Sequence, residues 1–110
     1  MLDARLYLLQ RLTALIMAPL VLGHLAVMIY AIQGGLSAAE ILERTQGSAF
    51  WFAFYGLFVL AVAIHGAIGL RTIAFEWAGV KGSALNWLMW VAGAVLFVMG
   101  VRAVWSVTVA

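Results

Sequence analysis

Hydrophobic positions in this chain follow neither the helical period nor the alternation of a half-buried strand. They run on almost without interruption, broken only by short polar clusters. Three uncharged stretches emerge: Leu12 to Ile32, Ala49 to Leu70, and Ala84 to Val101, the last with an apolar continuation past Arg102. Each approaches or exceeds the ~20 helical residues needed to cross a hydrocarbon core. Aromatic residues mark their ends, as expected of interfacial belts. Tyr7 and Tyr30 flank the first stretch, Phe50, Trp51 and Tyr55 open the second, and Trp77, Trp87, Trp90 and Trp105 surround the third. The pattern predicts an all-α integral membrane bundle of three helices in up-down-up order, forming a single domain over residues 1–110. The first apolar run is longer than a signal-peptide core and two more follow it, so it is expected to remain as a span. Between the first two spans, Ser37 and Glu40 have the spacing of a capping box, Ile41 and Leu42 are apolar, and Gly47 offers a stop. A short interfacial helix is expected there.

Composition points the same way. The hydrophobic set makes up 67% of the chain and charged residues 9%, with a mean hydropathy of +1.14. Helices apolar on nearly every face cannot all be buried within so short a chain, so lipid or partner chains must cover them. The absence of cysteine excludes disulfides, iron-sulfur thiolates and thiolate zinc sites from this chain. The net charge of +2 comes from six basic and four acidic residues, too few and scattered for nucleic acid. The basic residues read instead as topology. Arg5, Arg11, Arg71 and Lys81 fall on one side of the bundle, Arg44 and Arg102 on the other. The positive-inside rule then places the N-terminus in the cytoplasm, and a multi-pass protein of the cell inner (cytoplasmic) membrane is expected.

Chemistry has to come from the few polar groups in or beside the spans, because an ionisable residue in hydrocarbon is costly to keep. His24, His65 and the arginines at the edges qualify. The spans hold no carboxylate, which argues against a proton-coupled transporter, and no phosphate loop or nucleophile-base pairing is visible. Histidines without acids or thiols suit haem, whose iron takes imidazole ligands and whose macrocycle is at home between apolar helices. On its helix His65 has Ala61 and Gly69 one turn away and Gly66 beside it. Such a narrow stripe of small residues would let a flat ring stand close. It would equally let helices pack tightly around a histidine that only hydrogen-bonds. His24 has Leu20 and Met28 in the same positions, an ordinary apolar face, and Pro19 shortly before it offers a site for a kink.

Depth separates the two imidazoles. His65 lies roughly 9 Å from Arg71 at one end of its span, whereas His24 lies roughly 18 Å beyond the start of its span at Leu12. They are not expected to share one iron, so each would need a partner ligand from another chain.

These residues resemble the cytochrome b membrane anchor subunit of succinate dehydrogenase and fumarate reductase. The family signature at the end of the second helix is a histidine, three residues, a small residue, an aliphatic residue and arginine. Here it reads His65, Gly66, Ala67, Ile68, Gly69, Leu70 and Arg71, followed by Phe75 and Glu76. Thr72 departs from the usual His or Phe, and Glu76 stands for Asp. A second motif, His-Arg-x-Ser/Thr-Gly, reads Gln10, Arg11, Leu12, Thr13 and Ala14, with Tyr7 where a serine is often found. The variant with two anchors and two haems is similar in placing a first-helix histidine about a dozen residues after that arginine, the position of His24.

The resemblance implies that His65 is an axial ligand of haem b and His24 that of a second haem. It also implies that Arg11, Thr13, Tyr7 and Arg71 lie near the quinone and the haem propionates, with Arg102 beside the more distant haem. The implied partners are a second membrane anchor subunit, an iron-sulfur subunit, a flavoprotein subunit and membrane lipid. Electrons from succinate oxidation would then reach a quinone at the membrane edge, the anchor supplying position and electrostatics rather than catalysis by itself. A haem-free structural anchor and a cytochrome b of another membrane oxidoreductase, such as a hydrogenase, are the alternatives.

Overall fold

The structure, a computed structural model, describes residues 3–109; Met1, Leu2 and Ala110, at the ends of the expected domain, lie outside the described residues. Four helices follow one another: α1 (Ala4–Gly34), α2 (Ala38–Thr45), α3 (Ala49–Ala78) and α4 (Ser83–Thr108). No strand occurs among the described residues. The all-α fold is as the sequence predicts, and α1, α3 and α4 are each long and apolar enough to cross a membrane.

The helices outrun the uncharged stretches that announce them. α1 has 31 residues, about 46 Å at 1.5 Å per residue, against a hydrocarbon core of ~30 Å. Charge ends an apolar stretch, but a helix ends only where its terminal N–H and C=O groups find other partners. Asp3 caps α1 by accepting from the Leu6 N–H at 2.9 Å, and Gly35, at φ 124°, ends it. Pro19 lies within α1, which continues unbroken through it. Its missing N–H leaves the Leu15 carbonyl without an intrahelical donor.

α3 packs against α4 on one side and α1 on the other. Its buried side chains are Ala61, Ala63, Ala67 and Ile68, and α4 buries Leu85 and Val104. This is packing by small residues, as expected where lipid removes the hydrophobic drive between helices and close backbone approach supplies the attraction. A Cβ on Gly93 would stand 3.3 Å from that of Ala67, one on Gly66 would reach 3.0 Å from Leu96, and one on Gly100 would collide with Val59. Gly23 of α1 receives the Phe54 ring in the same way. Most large apolar side chains face outward, among them Leu15, Leu22, Ile32, Val98 and Met99. Trp77, Trp87, Trp90 and Trp105 are all exposed near helix ends, the arrangement of an interfacial belt.

α2 closes the end of the bundle opposite the N-terminus. Ser37 accepts from the Glu40 N–H at 3.2 Å, the expected half of a capping box, while the Glu40 carboxylate lies against Gly35. The Thr45 hydroxyl donates to the Val107 carbonyl at 2.6 Å, and the Gly47 N–H donates to the Thr108 carbonyl at 2.8 Å. Both bonds clip the loop to the last turn of α4. Arg44 donates back to the Gly35 carbonyl at 2.9 Å.

Candidate functional site

Close packing of α1 on α3 builds a polar cluster inside an otherwise apolar bundle. Thr13, 3% exposed, places its hydroxyl 3.2 Å from Nδ1 of His65. The same oxygen lies 2.9 Å from the Leu9 carbonyl and 3.0 Å from that of Gln10. A hydroxyl has one proton and two lone pairs. When the proton goes to either carbonyl, the oxygen accepts from Nδ1–H and Nε2 keeps its lone pair. This tautomer, assigned from bond geometry, is the one a metal-ligating imidazole adopts when a neighbour holds its other nitrogen.

Gln10 completes the cluster. Its amide donates to the His65 carbonyl at 3.2 Å and runs along Gly69, where a Cβ would lie 3.6 Å from the amide nitrogen. Its own carbonyl oxygen is buried without a donor among the described residues. The small stripe through His65 is therefore occupied within this chain, Gly69 by Gln10 and Gly66 by Leu96. Of the two uses open to that stripe, close helix packing is the one seen here.

The remaining candidates point elsewhere. Arg11 is two positions before Thr13, about 200° around α1, and its guanidinium lies 5.7 Å from the centre of the Tyr7 ring. Both residues are exposed on the face turned away from His65. Arg71 donates through Nε to the Asn86 side-chain oxygen at 3.4 Å, tying the end of α3 to the start of α4. Arg102 is exposed near the opposite end.

His24 occupies a second environment. It meets Phe58 edge-on with ring centres 5.4 Å apart and Tyr55 at 6.1 Å. With Ile41, Thr45 and Val107 these residues line a cavity of about 350 Å³ under α2. Thr13 and His24 are separated by roughly 16 Å along α1, and Phe58 and His65 by roughly 10 Å along α3. The imidazoles thus stand in different layers. No group of three or more His, Cys, Asp or Glu that could hold a metal exists among the described residues. A donor set for iron would have to be one imidazole from this chain and one ligand from another.

The sequence did not reveal Gln10 as a neighbour of His65, nor Tyr55 and Phe58 as neighbours of His24. Both contacts depend on the register between helices, which an uninterrupted apolar pattern does not encode.

Comparison with known proteins decides the family. Residues 1–101 match the family model described as succinate dehydrogenase/fumarate reductase transmembrane subunit. The chain belongs to this family. It is 34% identical over 103 residues to the succinate dehydrogenase hydrophobic membrane anchor subunit of Archaeoglobus fulgidus, covering 92% of this chain and 87% of the relative. No solved structure matches. A multi-pass membrane anchor subunit is therefore the function that family and fold share, and the His65 motif lies within the matched region.

Proposed function

We propose that this chain is the haem b-binding, quinone-facing anchor of a succinate:quinone oxidoreductase or fumarate reductase, assembled with a second anchor, an iron-sulfur subunit and a flavoprotein. The observation that carries the reading is the contact between Thr13 and His65 Nδ1. It holds the ring by the nitrogen that a metal does not use, inside an apolar bundle. Bound haem b would supply one-electron transfer between the iron-sulfur subunit and quinone.

Each residue of this chain has a part that follows from its position. His65 would hold the iron through Nε2, with Thr13 fixing the ring through Nδ1. Gln10 steadies the His65 backbone through its amide, and its own carbonyl oxygen stays buried in the same interface. Arg11 and Tyr7 form a donor pair on the outer face of α1, where a quinone carbonyl held between this chain and its partners would meet them. Arg71 supports the same edge electrostatically. His24, in its aromatic cavity, would hold a second haem. The concentration of Arg5, Arg11, Arg71 and Lys81 at one end supports a cytoplasmic N-terminus.

A second reading, a haem-free tether for the soluble subunits, draws on the filling of the Gly66 and Gly69 stripe by Leu96 and Gln10. Pyridine haemochrome analysis of the complex, purified with its partners, separates the two. The proposal expects two haems, one lost in His65→Ala and the other in His24→Ala. One haem lost only with His65 would reduce His24 to a packing residue. Absence of b-type absorbance from the wild-type complex would leave the tether.

A further inference from the structure

A larger cavity, about 550 Å³, lies between α1, α3 and α4 on a face that neither histidine lines. Its wall is formed by apolar side chains and Trp90, and includes Leu9, Leu60, Ile68, Met89 and Phe97. It is elongated. The lining runs from Leu60 to Ile68 along α3 and from Met89 to Phe97 along α4, roughly 12 Å on each helix. The volume falls within the ~300–1,000 Å³ range of ligand pockets, but a slot parallel to the helices suits an extended hydrocarbon chain better than a compact ligand. Leu60, Trp90 and Phe97 are exposed, so the slot opens sideways to the lipid.

The end of the slot nearest the N-terminus carries two arginines. Arg5 lies one helical turn before Leu9, and Arg71 one turn beyond Ala67, another lining residue. Asn86, one turn before Trp90, accepts from Arg71 and so directs that side chain to the α3–α4 seam where the slot begins. Side chains on α1 lean toward its N-terminus, carrying the Arg5 guanidinium toward headgroup depth while its stem covers apolar surface.

We propose that this slot holds one acyl chain of an anionic phospholipid, whose phosphate is held at the mouth by Arg5 and Arg71. Two guanidiniums at one end of the slot favour a phosphate over the neutral head of a quinone, which separates this occupant from an isoprenoid tail. Apart from Arg71, which the proposed quinone edge also draws on, the inference uses none of the residues assigned to haem or quinone.

The test uses the complex purified with its partners and placed in phosphatidylcholine nanodiscs containing a minor fraction of spin-labelled phosphatidylglycerol or spin-labelled phosphatidylcholine. The motionally restricted spectral component of each label gives a relative association constant. The wild type is expected to prefer phosphatidylglycerol. Arg5→Gln is expected to lower that preference about fivefold, the effect of one basic residue at the membrane surface. Ala94→Phe, which fills the slot from its lipid-facing wall, is expected to reduce the restricted component for both labels. Equal association of the two labels with the wild type, or an Ala94→Phe variant that restricts both labels as before, would overturn the proposal. Displacement of labelled phosphatidylglycerol by added quinone would assign the slot to an isoprenoid tail instead.

Discussion

Thr13 on α1 and His65 on α3 meet through a hydroxyl oxygen and a ring nitrogen 3.2 Å apart. The contact joins the two family motifs across a helix interface, so the hydroxyl position of the first motif positions the histidine of the second. A metal-bound imidazole whose other nitrogen is held has a fixed tautomer and orientation, and losing such a partner typically costs about 10–100-fold in metal affinity.

Thr13→Val keeps the shape and removes the oxygen. Haem affinity at the His65 site is expected to fall at least about tenfold, measured by haemin titration into haem-depleted complex. Thr13→Ser is expected to restore it. Equal affinity in Thr13→Val and wild type would show that the hydroxyl does not hold the ring.

Gln10→Leu tests the buried amide. It loses a bond to the His65 carbonyl worth about 1 kcal/mol, and it also removes a buried acceptor whose lack of a donor costs about 1–3 kcal/mol. Unfolding stability in detergent is therefore expected to be retained or slightly raised. A loss of more than about 1 kcal/mol would show that the bond to the His65 carbonyl outweighs the buried acceptor.

Packing of α3 on α4 depends on one glycine more than on the others. Gly100→Ala sets a methyl group into Val59 and is expected to destabilise the bundle by about 1–3 kcal/mol in reversible unfolding. Gly56→Ala meets nothing within 4 Å and serves as the control, expected to be neutral or stabilising by up to about 1 kcal/mol.

Thr45→Val removes the bond to the Val107 carbonyl and should cost about 1 kcal/mol. The loss is local, so hydrogen exchange is the informative readout. Amides of α2 and the last turn of α4 should exchange faster, with those of α3 near His65 unchanged.

How much of this could be read from sequence depends on which force sets each feature. The spans were legible because a charge inside hydrocarbon is expensive: Arg11 and Arg71 mark the Leu12 and Leu70 ends, while glycine and polar residues mark the Ile32 and Ala49 ends. The true helix ends were not, because Asp3, Gly35 and Gly79 cap α1 and α3 outside those stretches. Ser37 as the cap of α2 was legible because capping is local. His65 stood out as an ionisable group in a span, and Thr13 through its motif, but their approach across the interface was not derivable from either helix alone. The stripe of Ala61, Gly66 and Gly69 showed that something comes close to α3 without showing whether it is a ring or a neighbouring helix.

The central place of α3 also carries a consequence for biogenesis. α1 makes its contacts chiefly with α3 and leaves the growing chain before it, so it must rest in the bilayer as a solitary span until its neighbour arrives. Uniform apolarity permits that wait, since a span satisfies its own backbone and lipid accepts its side chains. Thr13 and Gln10, however, have no cross-helix partner until His65 is inserted beside them. The polar cluster is thus born only with the second span, and the Thr13–His65 contact cannot exist on a nascent chain that ends before α3.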